Sequence, residues 1–194
     1  MMAWWEEGGL ADPRHFWAEY SRRLYEVPRA WAHKGQNLVH AFEVLADQET
    51  SFHFDVRAQA MMMAGMACEV MLKAVLVNNP EVLHAVTASP KQLDDQGRKV
   101  RSTFFRHELL PLFELARVPL TEAEALVADC LSEYIIWRGR YVVPRESDVD
   151  DFIPIRHADG LIGGKDRSLD RATVRALLDK VIEVVKRELY QGQP

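Results

Sequence analysis

The amino-acid sequence predicts an all-α fold, a helical bundle of five to six helices around an up-and-down antiparallel core. Three observations carry that expectation. The most apolar run, Ala58 to Val77, is rich in Ala, Met and Leu. It is too long for one strand, and apolar residues fall on nearly every face, so it reads as a helix buried among helices. Near the C-terminus, Val174, Leu177, Leu178, Val181, Ile182, Val185 and Leu189 form one apolar stripe at helical spacing. Helix-start signals are also explicit: Asp12-Pro13, and Thr121 with Glu124 three residues on, which together make a capping box.

Residues 1–11 read as a loosely ordered N-terminal arm whose Trp4 and Trp5 are placed to dock on the core or a partner. Residues 12–194 read as a single domain, a length sufficient for a full core. Phe16, Trp17, Tyr20 and Leu24 predict a helix over about 13–26, broken by Pro28. Trp31, Leu38, Ala41, Phe42 and Leu45 predict the next over about 29–48, with a kink at Gly35. The apolar run extends to about 54–78, where Asn78, Asn79 and Pro80 end it. Within the run, Glu69 and Lys73 lie one turn apart in the favourable order and are expected to form a structural ion pair.

Pro80 to Ala88 adds a short helix, and Ser89 to Gly97 reads as a loop. A helix then covers the second half of 98–116, starting around Arg106 to Leu110, because Pro111 is tolerated only near a first turn. The capping box opens a helix over about 121–138, which Gly139 ends. Residues 141–167 are irregular with a short extended pair, and the last helix starts at Ser168 or Asp170 and runs to Tyr190.

Composition narrows the function classes. The 194 residues are 48% apolar and 27% charged, with a net charge of −5. Non-specific nucleic-acid binders carry a basic balance, so any RNA contact here must come from a local patch. Cys68 and Cys130 make neither a zinc motif nor a disulfide framework, which points to a reducing cytoplasm. The N-terminal residues lack the pattern of a secretory signal. The run containing Glu69 and Lys73 lacks the ~18 uninterrupted apolar residues of a membrane span, and no membrane partner is expected.

The seven histidines show no ligand spacing; His15 with Glu19, and Glu43 with Asp47, are isolated pairs. No metal or cofactor is expected. Gly160 to Asp166 is one residue short of a phosphate-binding loop and carries Asp166 where Ser or Thr would hold magnesium, so it reads as a Gly-rich surface turn.

Two basic segments interrupt the acidic background. One holds Arg98, Lys99, Arg101 and Arg106; the other holds Arg138, Arg140 and Tyr141. Guanidinium forks match phosphate oxygens, which makes Arg98, Lys99, Arg106, Arg138, Arg140 and Tyr141 candidate RNA or phosphate contacts. Arg138 and Arg140 also fit the cationic end of a helix, or partners for a buried Glu69.

Three blocks together resemble the HEPN domain family. Ala67-Cys68-Glu69-Val70-Met71-Leu72-Lys73-Ala74-Val75-Leu76 is similar to the family's A-x-E-x-x-L-K-A-L-L helix. His107-Glu108-Leu109-Leu110-Pro111-Leu112-Phe113 is similar to its H-D-L-x-x-L helix start, with Glu108 in place of Asp. Arg140-Tyr141 followed by Pro144 resembles an Arg-Tyr-Pro ending with two valines interposed. The blocks stand in the family's order and cover about residues 54–145.

The resemblance implies an all-α, often dimeric protein tied to RNA, as in toxin–antitoxin pairs, phage defence and RNA processing. It implies first an RNA- or nucleotide-associated binding or regulatory role, as a homodimer or with a cognate partner protein. Active members of the family are metal-independent ribonucleases with an Arg, four to six residues, then a His. Arg101 and His107, with five residues between them, match that spacing and give the alternative of a metal-independent endoribonuclease. In such an enzyme His takes the proton of a ribose 2′-hydroxyl and Arg stabilises the phosphate charge. On a straight helix these two side chains stand ~120° and ~9 Å apart, so they converge only if a helix begins between them or across a dimer. A further alternative is a helical protein-interaction scaffold with no nucleic-acid role.

Overall fold

A computed structural model describes residues 26–48, 54–138, 155–156, 162–163 and 169–191. These form an all-α bundle. The helices are α1 (Pro28–Asp47), α2 (Phe54–Val77), α3 (Pro80–Thr87), α4 (Asp95–Phe105), α5 (Leu109–Leu115), α6 (Glu122–Glu133) and α7 (Arg171–Tyr190). A 3-10 turn, Pro90–Gln92, precedes α4, and α6 continues as a π-helical segment, Tyr134–Arg138. Seven α-helices among the described residues exceed the five to six expected. The N-terminal arm and residues 13–25 of the expected helix over 13–26 lie outside the described residues, and Glu26 is in a turn.

The most apolar run is the centre of the bundle. Ala60, Met61, Ala64, Ala67, Cys68, Met71, Leu72 and Ala74 of α2 are all fully buried or nearly so. Helices α1, α5, α6 and α7 and the π segment all pack against it. By length and composition alone Val56–Val77 could cross a membrane even with Glu69 and Lys73 in it, and 78% of its most apolar window is buried by the rest of the fold.

Cross-helix bonds give the helix directions. At one end of the bundle, Arg29 donates to the Leu189 carbonyl at 3.4 Å and Asn78 to the Glu188 carbonyl at 3.3 Å. At the other end, Arg57 donates to the Leu169 carbonyl at 3.0 Å, and Arg171 pairs with Glu43 at 2.6 Å and with Asp47. Helix α7 therefore runs antiparallel to α1 and parallel to α2, which makes α1 and α2 an antiparallel pair.

Two glycines allow close helix approach. A Cβ on Gly35 would lie 2.3 Å from Met71 Cγ, and one on Gly65 would lie 2.8 Å from Ile135 Cγ1 and 3.0 Å from the Leu131 carbonyl oxygen. Gly35, expected at a kink, instead sits within an unbroken α1 and lets α2 close against it.

The acidic residues Glu43 and Asp47 staple α1 to α7 through Arg171 and Arg175. Arg171 beside Glu43 is the main cause that holds its carboxyl below the ordinary range, against burial, which acts in the opposite direction. Lys180 does the same for Glu124, joining α7 to the N-terminus of α6 at 2.7 Å. The Thr121–Glu124 capping box is formed.

One local feature departs from the sequence reading, and two follow it. The expected loop through Gly97 is the first turn of α4, because Asp94 caps it, its Oδ1 accepting from the Gly97 N–H at 2.7 Å. Helix α5 starts at Leu109, within the expected Arg106 to Leu110 range, and its cap is remote. The Leu109 N–H donates to Ser132 Oγ at 2.9 Å, and that hydroxyl donates to the Ala128 carbonyl. Between α6 and α7 the expected short extended pair is a two-residue antiparallel one, joining Ile155 to Gly163 and Arg156 to Ile162.

Candidate functional site

A carboxylate inside a helical core needs partners, because an unpaired buried charge is expensive. Glu69, in the middle of α2, is only 6% exposed. Lys73, one turn further on and equally buried, places Nζ 2.5 Å from Glu69 Oε1. The same ammonium lies 5.2 Å from the ring centroid of Phe104 in α4, a cation–π contact in a desolvated setting. Trp31 of α1 makes a T-shaped contact with that ring, 6.0 Å between centroids. Each of these positions follows from helical phase, which turns Glu69 and Lys73 to the same side of α2.

The third member comes from a break in the chain. Helix α4 ends at Phe105 and α5 begins at Leu109, so Arg106, His107 and Glu108 cross between them. His107 turns inward there, and its Nδ1 lies 3.1 Å from both Glu69 Oε1 and Oε2. Its side chain is half exposed while the carboxylate beneath it is buried. A carboxylate on one imidazole nitrogen fixes the ring's orientation and, in the neutral ring, its tautomer. Among the described residues, nothing bonds Nε2.

Arg101 does not join this cluster. Its Nη1 donates to the carbonyls of Val86, Ala88 at 3.2 Å and Ala85 at 3.4 Å, closing the C-terminal end of α3. Its guanidinium also lies 5.0 Å from the Phe105 ring centroid. A helix break does lie between Arg101 and His107, as convergence would require, but the arginine is committed to α3.

The other candidate contacts divide by environment. Arg98 is tied locally to the Leu93 carbonyl and, at 2.5 Å, to Asp95. Lys99 and Arg106 are exposed, with Arg106 loosely paired to Glu108 at 3.7 Å. Arg138 ends the π segment, and Arg140 and Tyr141 lie outside the described residues, as does most of the Gly160–Asp166 turn. The Glu69 carboxylate, for which Arg138 or Arg140 was a candidate partner, is held by Lys73 and His107.

Nothing in the local sequence pointed to Phe104, Trp31 and Ser132 as supports of this site. Their partners are more than twenty residues away or are backbone groups, so no spacing signals them. Cys68, beside Glu69 in sequence, is buried, and burial pushes its thiol up to about 12, which removes it as a nucleophile. No group of three or more potential metal ligands occurs among the described residues. A cleft of about 710 Å³ opens between α3 and α4, lined by Glu81, His84, Asp94 and Gln96 among others, and includes none of Glu69, Lys73 or His107.

No family model, no curated protein and no solved structure matches the chain.

Proposed function

We propose that the chain is a HEPN-like module with an RNA- or nucleotide-associated binding and regulatory role, of the kind used in toxin–antitoxin or phage-defence systems. The observation that carries this reading is the Glu69–His107 contact at 3.1 Å. It joins the first and second family-like blocks and leaves a half-exposed imidazole next in the chain to the exposed Arg106. The commitment of Arg101 to the α3 carbonyls favours binding over cleavage, since the arginine of the ribonuclease pairing has a structural task. A homodimer or a cognate partner protein belongs to the same reading.

The test is to titrate the purified protein into a labelled single-stranded RNA at low salt in EDTA and then inspect the RNA. The expected result is a complex whose affinity falls as salt rises, with the RNA intact. RNA cut in EDTA by the wild type but not by His107→Ala would replace this reading with the ribonuclease. No complex at low salt would leave a protein-interaction scaffold.

A further inference from the structure

We infer that the cleft between α3 and α4 binds an aliphatic primary amine with more than one ammonium group, of the polyamine class. This site is separate from the Glu69–His107 cluster and does not rest on the nucleic-acid reading. Two helix starts build it. Asn79 caps α3, with Pro80 in the first turn, and Asp94 caps α4, while the Pro90–Gln92 turn brings the second helix back against the first. The volume of the cleft, about 710 Å³, lies within the range of about 300–1,000 Å³ that small-ligand sites occupy.

The lining defines the chemistry of the ligand. Its apolar part comes from Val82, Ala85 and Leu93, which are buried, and from the half-buried Val100. An alkyl chain laid over them leaves water. The charged part is acidic. Glu81, in the first turn of α3, has no partner for its carboxylate among the described residues, and Asp94 spends Oδ1 on the Gly97 N–H at 2.7 Å and leaves Oδ2 open. Among the described residues, no Lys or Arg lines the cleft. The arginines of α4 are turned elsewhere, Arg98 to Asp95 and the Leu93 carbonyl, and Arg101 to the carbonyls that end α3. The two carboxylates repel an anion. No Phe, Tyr or Trp among the described residues lines the cleft to stack a base or cage a quaternary ammonium. A primary ammonium needs no ring, because it donates three hydrogen bonds. Carboxylates on two different helices, with apolar surface in the same cleft, match two ammonium groups joined by an alkyl spacer. Each carboxylate stands at the N-terminus of its helix, where the macrodipole offsets part of its charge, so both ends of the ligand are needed to hold it.

The experiment follows the methyl NMR signals of Val82, Ala85, Leu93 and Val100 in the full chain, free of nucleic acid and at constant ionic strength, as spermidine, putrescine, butylamine or butanediol is added. Saturable shifts are expected with spermidine and putrescine, weaker binding with butylamine and none with butanediol. Glu81→Gln and Asp94→Asn should each weaken spermidine about two- to fivefold, the yield of an exposed ion pair. Asn caps a helix as well as Asp does, so α4 and the melting temperature should be unchanged in Asp94→Asn. No saturable shift with spermidine, an equal response to butanediol, or an affinity that both substitutions leave unaltered would each overturn the inference. Shifts of the same methyls on raising the protein concentration alone, or with a lysine-rich peptide but not with spermidine, would overturn it in favour of a second copy or a basic partner protein.

Discussion

Glu69 and His107 stand 38 residues apart in the chain, and the imidazole Nδ1 lies 3.1 Å from both oxygens of the carboxylate. The contact ties the crossing between α4 and α5 to the central helix. It also turns a buried charge into the base on which a half-exposed side chain stands.

Removing that base exposes how much of it is structural. Glu69→Ala leaves the Lys73 ammonium buried without its carboxylate, and breaking a buried pair in this way costs about 3–5 kcal/mol. Lys73→Met in the same background should restore much of the loss, because the charge that lacked a partner is gone. Chemical denaturation of the two variants checks both halves; a single variant within 1 kcal/mol of wild type would show that solvent reaches the pair.

Arg101→Ala is expected to loosen α3 rather than to affect ligand binding. Its charged hydrogen bonds to the Val86 and Ala88 carbonyls are partly solvent-screened, so a loss of about 1–2 kcal/mol is expected. Amide hydrogen exchange should rise mainly in α3, with RNA affinity little changed. Lost affinity at unaltered stability would return Arg101 to the ligand.

Gly65→Val tests the contact between α2 and the end of α6. The added Cβ would lie 3.0 Å from a backbone oxygen, which cannot rotate away as a side chain can. Overpacking of this kind costs about 1–3 kcal/mol, more than the few tenths regained from helix propensity. A melting temperature lowered by several degrees is the expected reading, and an unchanged one would mean that the helices separate easily.

The staple between α1 and α7 gives a pH signature. The Glu43 carboxyl is held below its ordinary value of 4.5, first by Arg171. A carboxyl depressed in the folded state contributes its stability fully above the unfolded value and loses it as pH falls through the folded one. Glu43→Gln should therefore melt below wild type at pH 7, and the gap should close as the pH is lowered beneath about 4.5. A gap that stays constant with pH would assign the loss to packing.

The main helices were legible because their signals are local. The helical spacing of Trp31, Leu38, Phe42 and Leu45 in α1, the apolar run of α2 and the Thr121–Glu124 box all announce elements within a few residues. Helix α4 was missed because Gly97 and a mostly polar surface weaken its pattern, while its start depends on the single Asp94 cap. Glu69 and His107 were each singled out from the sequence, but their meeting was not foreseen. Contacts across 38 residues leave no spacing to read. The anchor of Arg101 was hidden for a different reason: its partners are main-chain carbonyls, which have no sequence identity.

The most direct measurement of the central claim is the RNA affinity of His107→Ala beside wild type, at low salt in EDTA, with circular dichroism as the folding control. The account predicts a folded variant that binds RNA about three- to tenfold more weakly. A folded variant with unchanged affinity would contradict it.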